Sequence, residues 1–84
     1  MFRIKQVGGK HATEVTDGRI TVLFSYATPV AAHVEGRGYL KTEERHSVTT
    51  SRHINAFLGA ARDRAEVMPQ AWFDGIAVTV GARQ

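Results

Sequence analysis

Hydrophobic and polar positions alternate through the first half of the chain and follow a helical period in the second half. Residues 20–26 alternate most clearly, and their β-branched and aromatic side chains favour a pleated strand. Shorter alternating segments predict strands over residues 1–7 and 11–16. Gly8-Gly9 and Asp17-Gly18 mark the turns between these strands. The pattern predicts consecutive antiparallel strands, with residues 20–26 at the centre of the sheet.

A proline interrupts the pattern after this central strand. Because proline cannot donate to a strand ladder, Thr28-Pro29 predicts a break, followed by a further strand over residues 30–35. A helix over residues 29–35 is the open alternative, since proline suits the first position of a helix. A glycine-containing turn at residues 36–38 then leads into a fifth strand, running from residue 39 towards residue 48.

The hydrophobic period changes to about 3.6 residues near residue 50. Apolar side chains then recur at the spacing of one buried helical face, at Ile54, Phe57, Leu58 and Ala61. We predict that this main helix begins near residues 49–51 and ends at Gly59 or one turn later.

A second short helix is predicted from Pro69, closed by Asp74-Gly75, with residues 76–80 alternating as a last strand. The side chains expected to be mostly buried are Phe24, Ile54, Phe57, Leu58, Trp72 and Phe73. The complete pattern predicts an α+β fold and a single domain over residues 1–84. In it, a small antiparallel sheet of about five strands is covered by the main helix and the second short helix.

The size of the chain favours subunit contacts. Its 84 residues suffice for one hydrophobic core, and the absence of cysteine excludes disulfides and thiolate metal sites. A short chain without disulfides or a structural metal gains stability from contacts between subunits. In addition, Leu23 places an apolar side chain on the second face of the central strand, which calls for a covering helix or a second subunit. We therefore expect a homo-oligomer, most simply a dimer.

The charge balance is mildly basic. Eleven Lys and Arg residues against eight Asp and Glu residues give a net charge of +3. This excess is too small to identify nucleic acid as the partner, although it keeps nucleic acid open as an alternative. No apolar run reaches the length of a membrane span or a signal sequence, so we expect a soluble protein without membrane association.

The most distinctive chemical feature is a run of hydroxyl side chains ahead of the main helix. The amides and the dipole at the start of a helix can bind an anion. One side-chain oxygen is enough to cap the helix, so the other hydroxyls and a guanidinium remain available to a phosphate or carboxylate. An ordinary capped helix start is the alternative. The predicted ligand-binding residues are Thr49, Thr50, Ser51, Arg52 and His53.

No pattern in the sequence indicates catalysis. The chain has four histidines, His11, His33, His46 and His53. They do not stand at the spacings that pair metal ligands on a helix, so neither a metal nor another cofactor is expected. Ser51, His53 and Asp63 can be drawn as a triad, but without a nucleophile elbow this grouping has little weight. We do not expect an enzyme.

Three blocks of the sequence resemble a family of short uncharacterised proteins from bacteriophages and other mobile elements. They are GGKHAT at residues 8–13, VLFSYATPVAA at residues 22–32 and SVTTSRHIN at residues 47–55. The resemblance extends from Phe2 to Phe73, and the segment beyond Gly75 departs from it. It implies a phage-type setting and no established chemistry.

The resemblance implies a protein that acts by binding. We expect a non-catalytic protein in the cytoplasm of a bacterial host, acting as an inhibitor of host defence machinery or sequestering a phosphate-bearing ligand. Its partner would be a host protein or a small anionic ligand. A nucleic-acid-binding accessory protein is the alternative. The positive charge favours it, and Tyr26, Tyr39 and Trp72 offer stacking surfaces, although packing is the more ordinary role of such rings.

Overall fold

A six-stranded sheet dominates the computed structural model, which describes residues 3–6 and 11–81. The strands lie in chain order as β1 (Arg3–Gln6), β2 (Ala12–Thr16), β3 (Ile20–Ser25), β4 (Thr28–Val34), β5 (Gly38–Thr42) and β6 (Glu66–Met68). The first five pair antiparallel, and β6 pairs parallel with β5. Helix α1 (Val48–Leu58), extended by a 3-10 turn (Gly59–Ala61), connects β5 to β6, and helix α2 (Gln70–Gly81) follows β6.

The predicted turn between β2 and β3 is confirmed. Oδ1 of Asp17 accepts hydrogen bonds from the backbone N–H groups of Arg19 and Ile20, at 2.9 and 3.0 Å. Gly18 has a φ of 98°, a region that favours glycine. Aspartate and glycine thus each satisfy a separate requirement of this turn.

Residues 28–34 form β4, so the helical alternative for this segment is wrong. Pro29 lies opposite Phe24, at the point where the register of β3 and β4 shifts. An irregularity of this kind tolerates a residue without an N–H group. The central position predicted for β3 is confirmed, because two strands lie on one side of it and three on the other in the described sheet.

The two helices cover opposite faces of the sheet. Ile54 and Phe57 of α1 pack against the cluster that contains Leu23, whereas Ile76 of α2 packs against the cluster that contains Val22. Neighbouring residues of a strand point to opposite faces, so β3 is covered on both sides. Helices of the same chain therefore cover the second face, which removes one reason for expecting a second subunit. Association remains a prediction.

The α+β class and a sheet covered by two helices are confirmed, but the end of the chain differs from the prediction. Helix α2 continues through Asp74-Gly75, so the predicted helix end and the strand over residues 76–80 are both wrong. Phe73 and Ile76 are three residues apart on this helix, and both pack on the sheet. Burial of this helical face overrides the short alternating pattern. The three-residue strand β6 was not predicted.

Smaller corrections concern β1, β5 and α1. Ile4 of β1 is 61% exposed, whereas the alternation of its strand predicts that it is half-buried. β5 ends at Thr42, and Glu43-Glu44 form a bend instead of continuing the strand. Helix α1 begins at Val48, earlier than predicted. The predicted turn at residues 8–9 lies outside the described residues.

The predicted core is confirmed in part. Leu58 and Phe73 are buried. Four other residues are only half-buried, namely Phe24, Ile54, Phe57 and Trp72. Each of these four still packs against a buried cluster, so they line the margins of the core. None of the described helices is long and apolar enough to cross a membrane.

Candidate functional site

A buried network of hydroxyl groups and one imidazole joins the start of α1 to the end of β3. Oγ of Ser25 lies 2.8 Å from Oγ1 of Thr50 and 2.8 Å from Nδ1 of His53. Ser25, Thr50 and His53 are all buried. Thr50 and His53 are three residues apart, so both face the sheet from neighbouring turns of the helix.

The network continues to the helix cap. Oγ of Ser47 accepts a hydrogen bond from the backbone N–H of Thr50 at 3.2 Å, and its hydroxyl donates to Oγ1 of Thr50 at 3.3 Å. When Nδ1 of His53 is unprotonated, donation can run in one direction, from Ser47 through Thr50 and Ser25 to the imidazole. Each member then has a partner, and no polar side-chain atom is left buried and unpaired in the described part of the chain.

The contact between Ser25 and His53 is not arranged for nucleophilic catalysis. Such a pair needs an accessible oxygen and a third group that orients the imidazole. Ser25 is only 2% exposed, and the third member of this network is the Thr50 hydroxyl. The triad considered from the sequence used Ser51, which is exposed on α1, whereas the hydrogen-bond partner of His53 is Ser25. This network therefore supports the position of α1 on the sheet.

The structure separates the five predicted ligand-binding residues. Thr50 and His53 are buried in the network, whereas Thr49, Ser51 and Arg52 are exposed. The cap of α1 is Ser47, so the hydroxyl run lies inside the first turn instead of ahead of it. At about 100° per residue, Thr49 and Ser51 lie on opposite flanks of the helix, and Arg52 lies on its outward face beside Val48, four residues earlier. Binding of a ligand by these five residues stays a prediction.

The flank of α1 that carries Ser51 borders a groove of about 590 Å³, which we call the α1–β6 groove. Its lining residues are Lys41, Thr42, Glu43, Glu44, Arg45, His46, Val48, Ser51, Ile54, Asn55 and Val67. Val48 is 71% exposed and Val67 is 53% exposed, an unusual degree for large apolar side chains. The charged lining residues include two cations, Lys41 and Arg45, and two carboxylates, Glu43 and Glu44. Because these charges balance, the groove does not favour an anion.

Gln70, whose role no sequence pattern indicates, anchors the loop that borders this groove. Its Oε1 accepts hydrogen bonds from Oγ1 of Thr42 at 2.8 Å and from Nε2 of His46 at 3.2 Å. Its Nε2 donates to the carbonyl oxygen of Pro29 at 2.7 Å. The position of Gln70 directly after Pro69 marks the start of α2, but only the tertiary structure shows these three partners.

A second groove, of about 520 Å³, lies near the start of β5. It is lined by His33, Arg37, Gly38, Tyr39, Ala61, Arg64 and Glu66. Nε and Nη2 of Arg37 donate to the two carboxylate oxygens of Glu66, at 3.1 and 2.9 Å. These hydrogen bonds from Arg37 lower the pKa of Glu66. The ion pair links the β4–β5 turn to β6.

The turn between β3 and β4 exposes an aromatic residue. Tyr26 is 54% exposed, although packing was the expected role of this ring. The Tyr26 ring stacks on the His11 ring, with centroids 4.6 Å apart, and lies 6.2 Å from the His53 ring at a tilt of 48°. Tyr39 and Trp72 follow the expectation, since Tyr39 contacts Phe57 and Trp72 contacts Phe73.

The described residues contain no group of three or more His, Cys, Asp or Glu side chains that could hold a metal ion. The histidines are instead engaged with hydroxyl, amide or aromatic partners. Their positions follow from packing and hydrogen bonding.

Comparison with known proteins gives one family. No curated protein and no solved structure matches the chain. A family of unknown function (DUF8033) matches residues 2–75, which includes every strand and both helix starts described above. The matched range agrees closely with the range over which the sequence resembles short uncharacterised proteins. The chain belongs to this family of unknown function, DUF8033.

Proposed function

We propose that this chain is a non-catalytic binding protein whose partner is a protein segment seated in the α1–β6 groove. The observation that carries the proposal is the exposure of Val48 and Val67 on the same groove. Apolar side chains within a rim of charged residues are typical of the centre of a protein interface. The half-buried side chain of Ile54 adds an apolar part to the lining.

Charge favours a protein segment over a phosphate-bearing ligand in this groove. Lys41 and Arg45 are balanced by Glu43 and Glu44, so a phosphate would meet as many carboxylates as cations. A protein segment carries both signs of charge and apolar side chains, and it can complement each of these groups. β6 is also an edge strand of the described sheet, which offers backbone groups to an extended segment.

More specifically, we propose that the protein segment belongs to the defence machinery of a bacterial host cell, and that this chain inhibits that machinery by binding it. The resemblance to short proteins of bacteriophages and mobile elements supports this more specific proposal. The alternative is an accessory protein that binds nucleic acid.

The proposal is tested by capture from bacterial lysate with matched variants. Val48→Asp and Val67→Asp place charge on the groove, and Ile4→Asp is the control because Ile4 is exposed at the opposite edge of the sheet. An acidic residue in the first turn of α1 is compatible with the helix dipole, and a charge on an edge strand is common. We therefore expect all three variants to fold.

We expect wild type and Ile4→Asp to retain the same protein with and without nuclease, and both groove variants to lose it. Photo-crosslinking supplies the position of the contact. A photoreactive residue at Asn55, which lines the groove, should crosslink to that protein, whereas one at exposed Ala56 should not. Capture that disappears with nuclease would favour the nucleic-acid alternative. Equal capture by all variants would exclude the groove.

A further inference from the structure

The second groove, called here the Arg64 groove, has an excess of positive charge. Its charged lining residues are Arg37, Arg64 and Glu66. Glu66 is already paired with Arg37 through two hydrogen bonds, at 3.1 and 2.9 Å. Arg64 forms no ion pair with any described residue, so its guanidinium is available to an anion. The α1–β6 groove differs in this respect, because its cations and carboxylates are equal in number.

Two other polar side chains of the Arg64 groove are also available. Neither the imidazole of His33 nor the hydroxyl of Tyr39 forms a hydrogen bond with a described residue. In the described part of the chain no polar side-chain atom is both buried and unpaired, so these polar atoms are accessible to solvent. A neutral imidazole has one N–H donor, and a tyrosine hydroxyl also donates. Both groups can therefore donate to an anion that Arg64 binds.

The aromatic side chains of this groove are held in position. His33 and Tyr39 lie opposite each other on β4 and β5, and their rings meet edge to face with centroids 4.5 Å apart. The Tyr39 ring also contacts Phe57 of α1, at 5.6 Å between centroids. The turn that carries Arg64 is closed by a hydrogen bond from its backbone N–H to the carbonyl oxygen of Ala61, at 2.9 Å. Rings that are already fixed lose little conformational entropy when a ligand binds.

The size of the Arg64 groove fits a small organic molecule. Its volume of about 520 Å³ lies within the range of roughly 300 to 1,000 Å³ that is typical of small-molecule sites. The ring of Tyr39 and the methyl group of Ala61 give the lining an apolar part. An inorganic anion would leave this part without a contact, whereas an organic anion would cover it.

We propose that the Arg64 groove binds a small organic anion that combines a carboxylate or phosphate group with an apolar body. Arg64 binds the anionic group through charge-assisted hydrogen bonds, and His33 and Tyr39 donate to the same group. The apolar body lies against the Tyr39 ring. The Arg64 groove shares no lining residue with the α1–β6 groove, so this inference does not rest on the proposed function.

The test is an NMR titration of the full chain with four probes, namely benzoate, phenyl phosphate, inorganic phosphate and benzyl alcohol. We expect benzoate and phenyl phosphate to shift the signals of His33, Tyr39 and Arg64. Both should bind more tightly than inorganic phosphate, which has no apolar body, and than benzyl alcohol, which has no charge. The tighter of the two organic anions identifies the preferred anionic group.

Arginine variants test the role of the cation. Arg64→Gln should weaken the binding of benzoate and phenyl phosphate about tenfold or more, because it removes the hydrogen bonds of a charged group. Arg62→Gln is the matched control, since Arg62 is a neighbouring exposed arginine that does not line the groove. Both positions are exposed, so both variants should keep the unfolding midpoint of wild type.

The ion pair beside the site supplies two changes of opposite sign. Glu66→Gln removes a carboxylate and releases Arg37, so it should tighten the binding of the organic anions. Arg37→Gln leaves the Glu66 carboxylate unpaired in the groove and should weaken that binding. A purely structural role of the pair would change stability and leave the two affinities equal.

Three results would overturn the proposal. The first is the absence of signal shifts at His33, Tyr39 and Arg64 with both organic anions at millimolar concentration. The second is benzyl alcohol binding as tightly as benzoate, which would show that charge is not recognised. The third is equal affinity of folded Arg64→Gln and Arg62→Gln for the organic anions.

Discussion

Oγ of Ser25 lies 2.8 Å from Nδ1 of His53, and both side chains are buried between β3 and α1. This hydrogen bond joins residues that are 28 positions apart in the chain. A buried polar group without a partner is unfavourable, so the helix is most stable in the position where this pair forms. The pair therefore helps to set where α1 lies on the sheet, beside the apolar contacts of Ile54 and Phe57.

Removal of the Ser25 hydroxyl should destabilise the fold. Ser25→Ala leaves Nδ1 of His53 without its partner and takes one partner from Oγ1 of Thr50. We expect a loss of about 1 to 3 kcal/mol in the free energy of unfolding, measured by urea denaturation. Ser51→Ala is the matched control, because Ser51 is exposed on the same helix and should change stability by less than about 0.5 kcal/mol. Equal effects of the two substitutions would contradict the role of the network.

The β2–β3 turn should make stability depend on pH through Asp17. Hydrogen bonds from the backbone N–H groups of Ile20 and Arg19 lower the pKa of Asp17 below its ordinary value of 3.8. A lowered folded-state pKa contributes stability above the unfolded-state pKa, and this contribution is lost as pH falls through the folded-state value. Wild type should therefore be more stable than Asp17→Asn at neutral pH, and the difference should shrink below pH 3.8. Urea denaturation at several pH values measures this, and a constant difference would contradict it.

Phe73 should be the most sensitive core position on the α2 face. Its side chain is fully buried and packs in a cluster with Ala32 and Leu40. Phe73→Ala removes the ring and leaves a cavity, so we expect a loss of about 3 to 5 kcal/mol in the free energy of unfolding. Such a loss is a large share of the stability of a small domain. Thermal or urea denaturation measures it, and a loss below about 1 kcal/mol would mean that α2 does not cover this face.

The ion pair between Arg37 and Glu66 should be detectable by titration. Arg37→Gln removes the hydrogen bonds that lower the pKa of Glu66, so this pKa should rise towards its ordinary value. NMR titration of the Glu66 carboxylate measures the change. Arg64→Gln is the control on the same groove, because Arg64 forms no ion pair with any described residue. A Glu66 pKa that responds equally to both substitutions would indicate a general charge effect instead of this pair.

The local sequence determined most of the sheet. Alternation of β-branched and aromatic residues over 20–26 was sufficient to predict β3, and the apolar Leu23 indicated that its second face is also covered. Asp17-Gly18 predicted its turn because each residue satisfies a local requirement for hydrogen bonding or backbone angle. The spacing from Ile54 to Leu58 likewise predicted α1, whose helical face contacts the sheet.

Features that depend on distant partners were decided by the tertiary structure. The hydroxyl run indicated a capped helix, but Ser25, the hydrogen-bond partner of Thr50 and His53, lies on β3, so only the tertiary structure shows that these two side chains are buried. The strand β6 has three residues, too few for a pattern, and forms through its parallel pairing with β5. Residues 76–80 alternate like a strand, yet they continue α2 because Phe73 and Ile76 pack on the sheet from one helical face. A sequence pattern indicates which apolar side chains are expected to be buried. The surface that the rest of the fold presents to the segment determines whether a helix or a strand buries them.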